Sequence, residues 1–287
     1  MKLQFIGTAA AEGVPAAYCK CEVCQTARTR GEKELRGRSQ CLIDGCLGID
    51  YPPDAYMQAE RFQIDLTKVS HLLITHSHMD HFYAHDFILR GYKYTKTPLA
   101  PLHIYGNEEV KKVFDECTRR ELRKEVKENI TVHTLRPFAA FTIENEGGRY
   151  TITPLLAQHS VAEEALLYLI EKGEQSYLHL TDTGRLPLST LTYLQSHFSG
   201  RKNKLSFITF DCTFLFYEAG EVSRHMGLED NKAMLSWLKE NGVADEKTRC
   251  AITHFSHNSN PLQETLERAS KQYGYFAAYD GATLTID

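Results

Sequence analysis

The sequence has a single tryptophan, Trp237, five methionines and nine prolines, and neither an internal repeat nor a low-complexity linker divides it. No apolar run approaches the ~18 residues of a membrane span, and Met1-Lys2-Leu3-Gln4-Phe5 lacks a signal-peptide apolar region. The expected compartment is the cytoplasm, with no membrane partner. Positive charge is not in excess: 33 Lys and Arg face 37 Asp and Glu, for a net charge of −4. No basic tail is present to attract phosphate polymers, so no stable nucleic-acid partner is expected. What remains is ordinary globular material: 287 residues, 42% hydrophobic and 24% charged. That excludes a disordered chain or a fibre. One domain over residues 1–287 is expected, long enough to bury a core without staples. Eight cysteines in a reducing cytosol are expected to be thiols or metal ligands.

Short runs rich in β-branched and aromatic residues alternate with turn signals and amphipathic stretches. The pattern predicts strands at 3–7, 69–75, 102–105, 130–135, 141–144, 150–156, 165–171, 176–181, 205–211 and 249–254, and a strand or hairpin at 41–50. It predicts helices at 80–92, 108–126, 187–198, 228–241 and 261–273. Residues 8–38 read as a long Gly- and Cys-containing loop, too long for a passive connection. Asp280-Gly281, between apolar segments 276–279 and 282–286, is a tight-hairpin signal. Two strand sets, one in each half, predict a layered α/β sandwich of two mixed sheets.

The most informative segment is Thr75-His76-Ser77-His78-Met79-Asp80-His81. A buried strand ends there and four ligand-type side chains follow. Imidazoles two residues apart lie on one side of an extended chain, so His76 and His78 suit one metal ion, and Asp80 and His81 a second beside it. Such a motif arises by chance roughly once in a thousand chains of this composition. His159, Asp182, Asp211 and His254 each follow a predicted strand, and several strand ends delivering ligands make a rigid site.

This order resembles the metallo-β-lactamase superfamily: H-x-H-x-D-H, then a single His, a single Asp and a last His. The resemblance implies a four-layer αββα sandwich. It implies that His76, His78 and His159 hold one metal, that Asp80, His81 and His254 hold another, and that Asp182 bridges them. Asp50, in Gly48-Ile49-Asp50, matches an early Asp that supports the site.

A second motif, Cys19-x-Cys21-x-x-Cys24, puts three thiols in six residues and suggests tetrahedral zinc lacking one ligand. His257, three residues after His254, is the best fourth ligand. With this loop the chain is similar to the cyclic phosphodiesterase family of the carbon–phosphorus lyase pathway. Further similarity lies in Leu180-Thr181-Asp182-Thr183, Asp211-Cys212, Arg224-His225-Met226-Gly227 and Tyr279-Asp280-Gly281. The resemblance implies a structural zinc on Cys19, Cys21, Cys24 and His257. It implies two active-site divalent ions, Zn²⁺ or Mn²⁺, and a catalytic set of His225, Asp80 and Asp182. The expected reaction is hydrolysis of small cyclic (ribo)nucleotide or phosphoribosyl phosphodiesters by a metal-activated water, with His225 as general acid. The expected partner is that small molecule, and a homodimer is compatible with the sequence.

The chain departs from the family at Phe82-Tyr83-Ala84-His85 and Tyr51-Pro52-Pro53, and in the longer segments 108–126 and 213–223, which leaves the substrate open. A ribonuclease Z-type RNA phosphodiesterase is one alternative. A metal-poor carrier like the pyrroloquinoline-quinone biosynthesis member is another, although all seven ligand types are retained. Phe214, Phe216 and Tyr217 are available to stack on a base or ribose or to pack internally, and His85 to support His81 or to sit at the surface. His71, His103, His133, His179 and His197 show no partner pattern and read as structural.

Overall fold

In the computed structural model, which describes residues 1–220 and 222–287, the strands form two seven-stranded sheets. The first contains β1 (Lys2–Gly7), β2 (Gln40–Ile43), β3 (Leu47–Ile49), β4 (His71–Leu73), β5 (Leu102–Gly106), β6 (Ile130–Thr134) and, from the far end of the chain, β14 (Thr283–Thr285), in the order β14-β1-β2-β3-β4-β5-β6. The second contains β7 (Phe141–Asn145), β8 (Gly148–Leu156), β9 (Leu166–Lys172), β10 (Gln175–Leu180), β11 (Phe207–Asp211), β12 (Arg249–Thr253) and β13 (Phe276–Ala277), in descending order from β13 to β7. Both are mixed. Strands β3 to β6 pair in parallel, as do β10 to β13, while the remaining pairs are antiparallel.

Period-two patterning explains the layers. Along β9, Leu166, Tyr168 and Ile170 face the other sheet, while Leu167 and Leu169 face the helices. A strand buried on both faces must be apolar throughout, which is why Leu-Leu-Tyr-Leu-Ile does not alternate with polar residues. Between the sheets Leu3, Phe5, Ile43 and Leu73 meet Ile152, Tyr177 and Phe207. Each such side chain contributes about 2 kcal/mol of burial before entropy is counted. The outer face of the first sheet packs Leu72 and Ile104 against Phe87, Val110 and Phe114. The outer face of the second packs Ile208 and Ile252 against Leu194, Leu238 and Leu266. Helices outside two stacked sheets make the expected αββα order.

Several local expectations are corrected. The 8–38 segment contains helix α1 (Glu22–Arg30), with Cys24 and Ala27 on its buried side. A further helix, α2 (Ala55–Arg61), follows Asp54. The predicted helix at 80–92 is absent at its start: Asp80 and His81 lie in a turn closed by His81 N–H to the His78 carbonyl, 2.9 Å, and only Ala84–Arg90 coils, as a 3₁₀ helix. The turn is held open because Tyr51 N–H takes the His81 carbonyl (2.7 Å) that a helix would use. The charged segment 108–126 forms two helices, α3 (Glu108–Thr118) and α4 (Lys124–Glu128). Its break follows Thr118, whose hydroxyl donates to the Phe114 carbonyl, and it lets Leu122 pack against the outer core. Helices α5 (Leu188–Phe198), α6 (Leu228–Glu240) and α7 (Gln263–Tyr273) match expectation within a few residues. Residue 221, within the expected 213–223 loop, lies outside the described residues.

Asp280-Gly281 does not close a hairpin. Strand β13 pairs with β12 in one sheet and β14 with β1 in the other, so the turn crosses between sheets. Asp280 is buried and accepts from Thr8 Oγ1 (2.7 Å), Gly37 N–H (2.6 Å) and Gln58 Nε2 (2.6 Å). Those donors draw the turn inward and tie the N-terminal loop and α2 to the end of the chain. Gly281 has φ of +89°, and a Cβ there would meet Phe62 at 2.6 Å, so both backbone angle and space require glycine.

Candidate metal centre and active site

Within each sheet the strands that carry the site residues run the same way, and the residues sit at or just past their C-terminal ends. Asp50 follows β3, the His76–His81 turn follows β4, His159 follows β8, Asp182 follows β10, Asp211 ends β11 and His254 follows β12. Three of these positions, Asp50, Asp182 and His254, have positive φ (61°, 57° and 64°). A left-handed non-glycine residue costs of order 1–3 kcal/mol and persists where surrounding structure enforces it.

The side chains converge in two overlapping groups. His76, His78, His159 and Asp182 offer ligand atoms within 4.8 Å of one another, and so do Asp80, His81, Asp182 and His254. Asp182 belongs to both. A third group joins Asp182 and His254 to Asp211 and His225. His76, His81, Asp182, Asp211 and His254 are buried, whereas His78 is exposed and His225 half-buried.

Partners behind the rings determine which nitrogen faces inward. Asp50 Oδ2 lies 2.7 Å from His81 Nδ1, and Asp50 Oδ1 accepts from Thr75 N–H at 2.8 Å. Thr75 Oγ1 lies 3.0 Å from His76 Nδ1. Thr213 Oγ1 lies 2.8 Å from His254 Nδ1, with Asp211 Oδ2 at 3.3 Å. In each case the Nδ1 side is engaged and Nε2 points to the cluster. His81 Nε2 and His254 Nε2 are buried with no hydrogen-bond partner among the described residues. Buried ring nitrogens that make no hydrogen bond are uncommon, and here they lie 3.2 Å (His81) and 3.8 Å (His254) from Asp182 Oδ2, the arrangement that suits divalent cations.

The electrostatics agree. Burial would raise the Asp182 carboxyl, but the His254, His159, His76 and His81 rings around it hold it well below the ordinary carboxylate range. Burial, reinforced by His81, lowers His76 to about 4, which leaves a neutral imidazole. Burial works against protonation of His81 too, but Asp50 and Asp80 raise it well above its ordinary value. The same acidic surroundings favour a cation at Nε2.

His225 belongs to neither of the first two ligand groups but touches the Asp182 they share. Its Nδ1 lies 3.2 Å from Asp211 Oδ2 and 3.1 Å from Asp182 Oδ1, so Nε2 is the nitrogen left for a ligand. Burial lowers this ring, but Asp211, then Asp182, outweigh that and raise it to about 9.

The cysteine site is also assembled. Cys19, Cys21, Cys24 and His257 have ligand atoms within 4.8 Å of one another, and His257 Nδ1 lies 3.5 Å from Cys21 Sγ and 3.6 Å from Cys24 Sγ. Arms of about 2.3 Å and 2.1 Å at the tetrahedral angle put sulfur and nitrogen about 3.6 Å apart, so the set fits a zinc-like ion. A hydrogen bond from His257 lowers the Cys21 thiol to about 6. Helix α1, absent from the sequence reading, puts Cys21 at its N-cap and Cys24 one turn on.

Two contributors carry no motif. Glu163 accepts from Ser77 Oγ (2.8 Å) and Ser77 N–H, and from Asn107 Nδ2 (2.7 Å), so it pins the residue between His76 and His78. Thr213 bridges His254 and Asp211, and lies 3.3 Å from His225 Nδ1. A Thr after Asp211-Cys212 carried no signal without the fold. His85 is exposed, with its ring beside that of Tyr83. His71, His103 and His133 do have partners: His71 stacks on His103, and His103 Nδ1 lies 3.0 Å from His133 Nε2 across neighbouring strands.

Fold and site together define a metal-dependent hydrolase. The chain belongs to the beta-lactamase superfamily, whose domain profile matches residues 40–255. The match contains His76 to His254 and leaves the cysteine loop and His257 outside. Among solved structures, the chain is similar to a diphosphatase of the PhnP family (23% identity, 99% of this chain and 96% of that one, TM-score 0.67). It is similar to Zn²⁺-bound PqqB from Methylobacterium extorquens (20% identity, 99% and 100%, TM-score 0.67). Human tRNase Z, short form, matches at 16% identity over 100% of both chains, with a TM-score of 0.65. Identities this low establish the shared fold. No curated protein sequence matches significantly. Among the described residues no helix is long and apolar enough to cross a membrane.

Proposed function

We propose that this chain is a dinuclear metal-dependent phosphodiesterase of small, preferably cyclic, (ribo)nucleotide or phosphoribosyl diesters, working as a single-domain cytoplasmic enzyme. The observation that carries the reading is one buried carboxylate, Asp182, shared by two ligand groups and touched by His225. His76, His78 and His159 would hold one ion and Asp80, His81 and His254 the other, with Asp182 between them. When bound, two Zn²⁺ or Mn²⁺ ions supply a water of lowered pKa and polarise phosphoryl oxygens. Asp50 and Thr75 keep His81 and His76 oriented, and Thr213 with Asp211 does the same for His254. His225, held by Asp211, donates a proton from Nε2 to the leaving oxygen, a role worth typically about 10²–10⁴-fold. The net charge of −4 favours a small diester over a nucleic-acid polymer.

The test is a panel of 2′,3′-cyclic and linear diesters, diphosphate-linked nucleotides, a β-lactam and a thioester, each with Zn²⁺ or Mn²⁺ restored. Turnover of cyclic diesters above the rest is expected. Metal-loaded protein that turns over only the lactam or thioester overturns the proposal.

The cysteine site is proposed to hold a structural Zn²⁺ that clips the N-terminal loop to the segment after His254. Cys24→Ser is then expected to lose one tightly held metal equivalent and about 10 °C of Tm, with the exchangeable ions retained. Elemental analysis and thermal melts decide it, and unchanged metal content and Tm would remove the assignment.

A further inference from the structure

Next to His225 lies an aromatic ring that the metal chemistry does not use. The Phe214 ring centroid is 5.7 Å from that of His225, with the planes 80° apart, and Phe214 is only half-buried. Its backbone is fixed on both sides. Thr213, the preceding residue, lies 3.3 Å from His225 Nδ1, and Phe214 N–H donates to the Met226 carbonyl at 3.1 Å. Leu215 then bridges to Gly227, Leu228 N–H takes the Leu215 carbonyl (2.8 Å), and Leu215 itself is buried. A Cβ at Gly227 would meet the Tyr217 carbonyl at 2.4 Å, so the two segments are in close backbone contact. Phe214 and His225 therefore keep a set separation.

We infer that Phe214 is a stacking platform for the base of a nucleoside whose ribose oxygen is the leaving group, which makes nucleoside cyclic phosphates the preferred substrates. The inference rests on the phosphodiesterase reading above. A leaving oxygen that takes its proton from His225 Nε2 holds its attached group within reach of this ring. An alkyl or bare ribosyl group gains little from an aromatic face there, whereas a planar base stacks on it. Such stacking strengthens binding by about tenfold per base and tolerates any base, since all have a π-face. Unlike a residue that holds a metal, the platform acts on binding and selectivity.

Three variants separate a stacking role from packing: Phe214→Leu keeps bulk without the π-face, Phe214→Tyr keeps both, and Phe214→Ala removes both. Phe214→Leu is expected to raise KM for a nucleoside 2′,3′-cyclic phosphate about tenfold, while the base-free ribose 2,3-cyclic phosphate changes less than about twofold. Phe214→Tyr should restore the wild-type ratio, and metal content should be equal throughout. Calorimetric titration with a nucleoside monophosphate and with ribose phosphate gives the same comparison without turnover, using metal-loaded protein. If wild type cleaves no diester, the phosphodiesterase reading fails and calorimetry alone tests the platform. Equal losses on base-bearing and base-free ligands, or a Tyr variant as impaired as Leu, overturn it.

Discussion

Asp182→Ala is expected to reduce turnover of every diester that wild type cleaves by at least about 10³-fold, more than one preorganised donor is worth. The magnitude follows from its position. Asp182 is buried, belongs to three ligand-type groups and lies within 4 Å of His76, His81, His159, His225 and His254. Without it, two cations would face each other across histidines with no shared anion, and at least one would leave. The fold should survive, because Asp182 sits at the strand rim while the apolar clusters lie between and outside the sheets. Elemental analysis should therefore show loss of exchangeable metal, with a far-UV spectrum like wild type and the cysteine-site ion kept. A folded variant with wild-type turnover and full metal content would refute the shared-carboxylate assignment.

His225→Ala should produce a different pattern. A proton donor matters most when the leaving oxygen is a poor leaving group, so a ribosyl or alkyl cyclic diester should slow about 10²–10⁴-fold. A p-nitrophenyl diester leaves as a stabilised anion and should slow by less than about tenfold. Both active-site ions should remain, since His225 lies outside the two groups assigned to them. The measurement is kcat/KM on both substrates with metal content checked. Equal losses on the two substrates, or loss of metal, would leave His225 as a binding or structural residue.

Legibility varied by segment for physical reasons. The double-faced apolar strands announced themselves: Leu166 to Ile170 and Leu72-Leu73 are buried on both sides, so composition alone marked them. Strand ends were legible for the same reason, and with them the places of His159, Asp182, Asp211 and His254. Segments whose conformation depends on a distant partner were not. Helix α1 has little apolar periodicity, and its buried face covers only Cys24 and Ala27. Asp280-Gly281 carries a local turn signal that fits a hairpin, but three donors from Thr8, Gly37 and Gln58 route it between sheets. Asp80 and His81 looked like a helix start, until the backbone of Tyr51 claimed the His81 carbonyl.

The sequence by itself determined the layered architecture, the ligand types and their order, because periodicity and ligand chemistry are local properties of the chain. Only the tertiary structure decided that Cys24 and His257, 233 residues apart, come within 3.6 Å. It alone put Asp182 within 4 Å of five histidines, and Thr213 and Glu163 behind the ligand loops. It alone put Phe214 against His225. Those relations depend on which strand ends share a rim and on backbone held in left-handed conformations at Asp50, Asp182 and His254, and both follow from packing across the whole molecule.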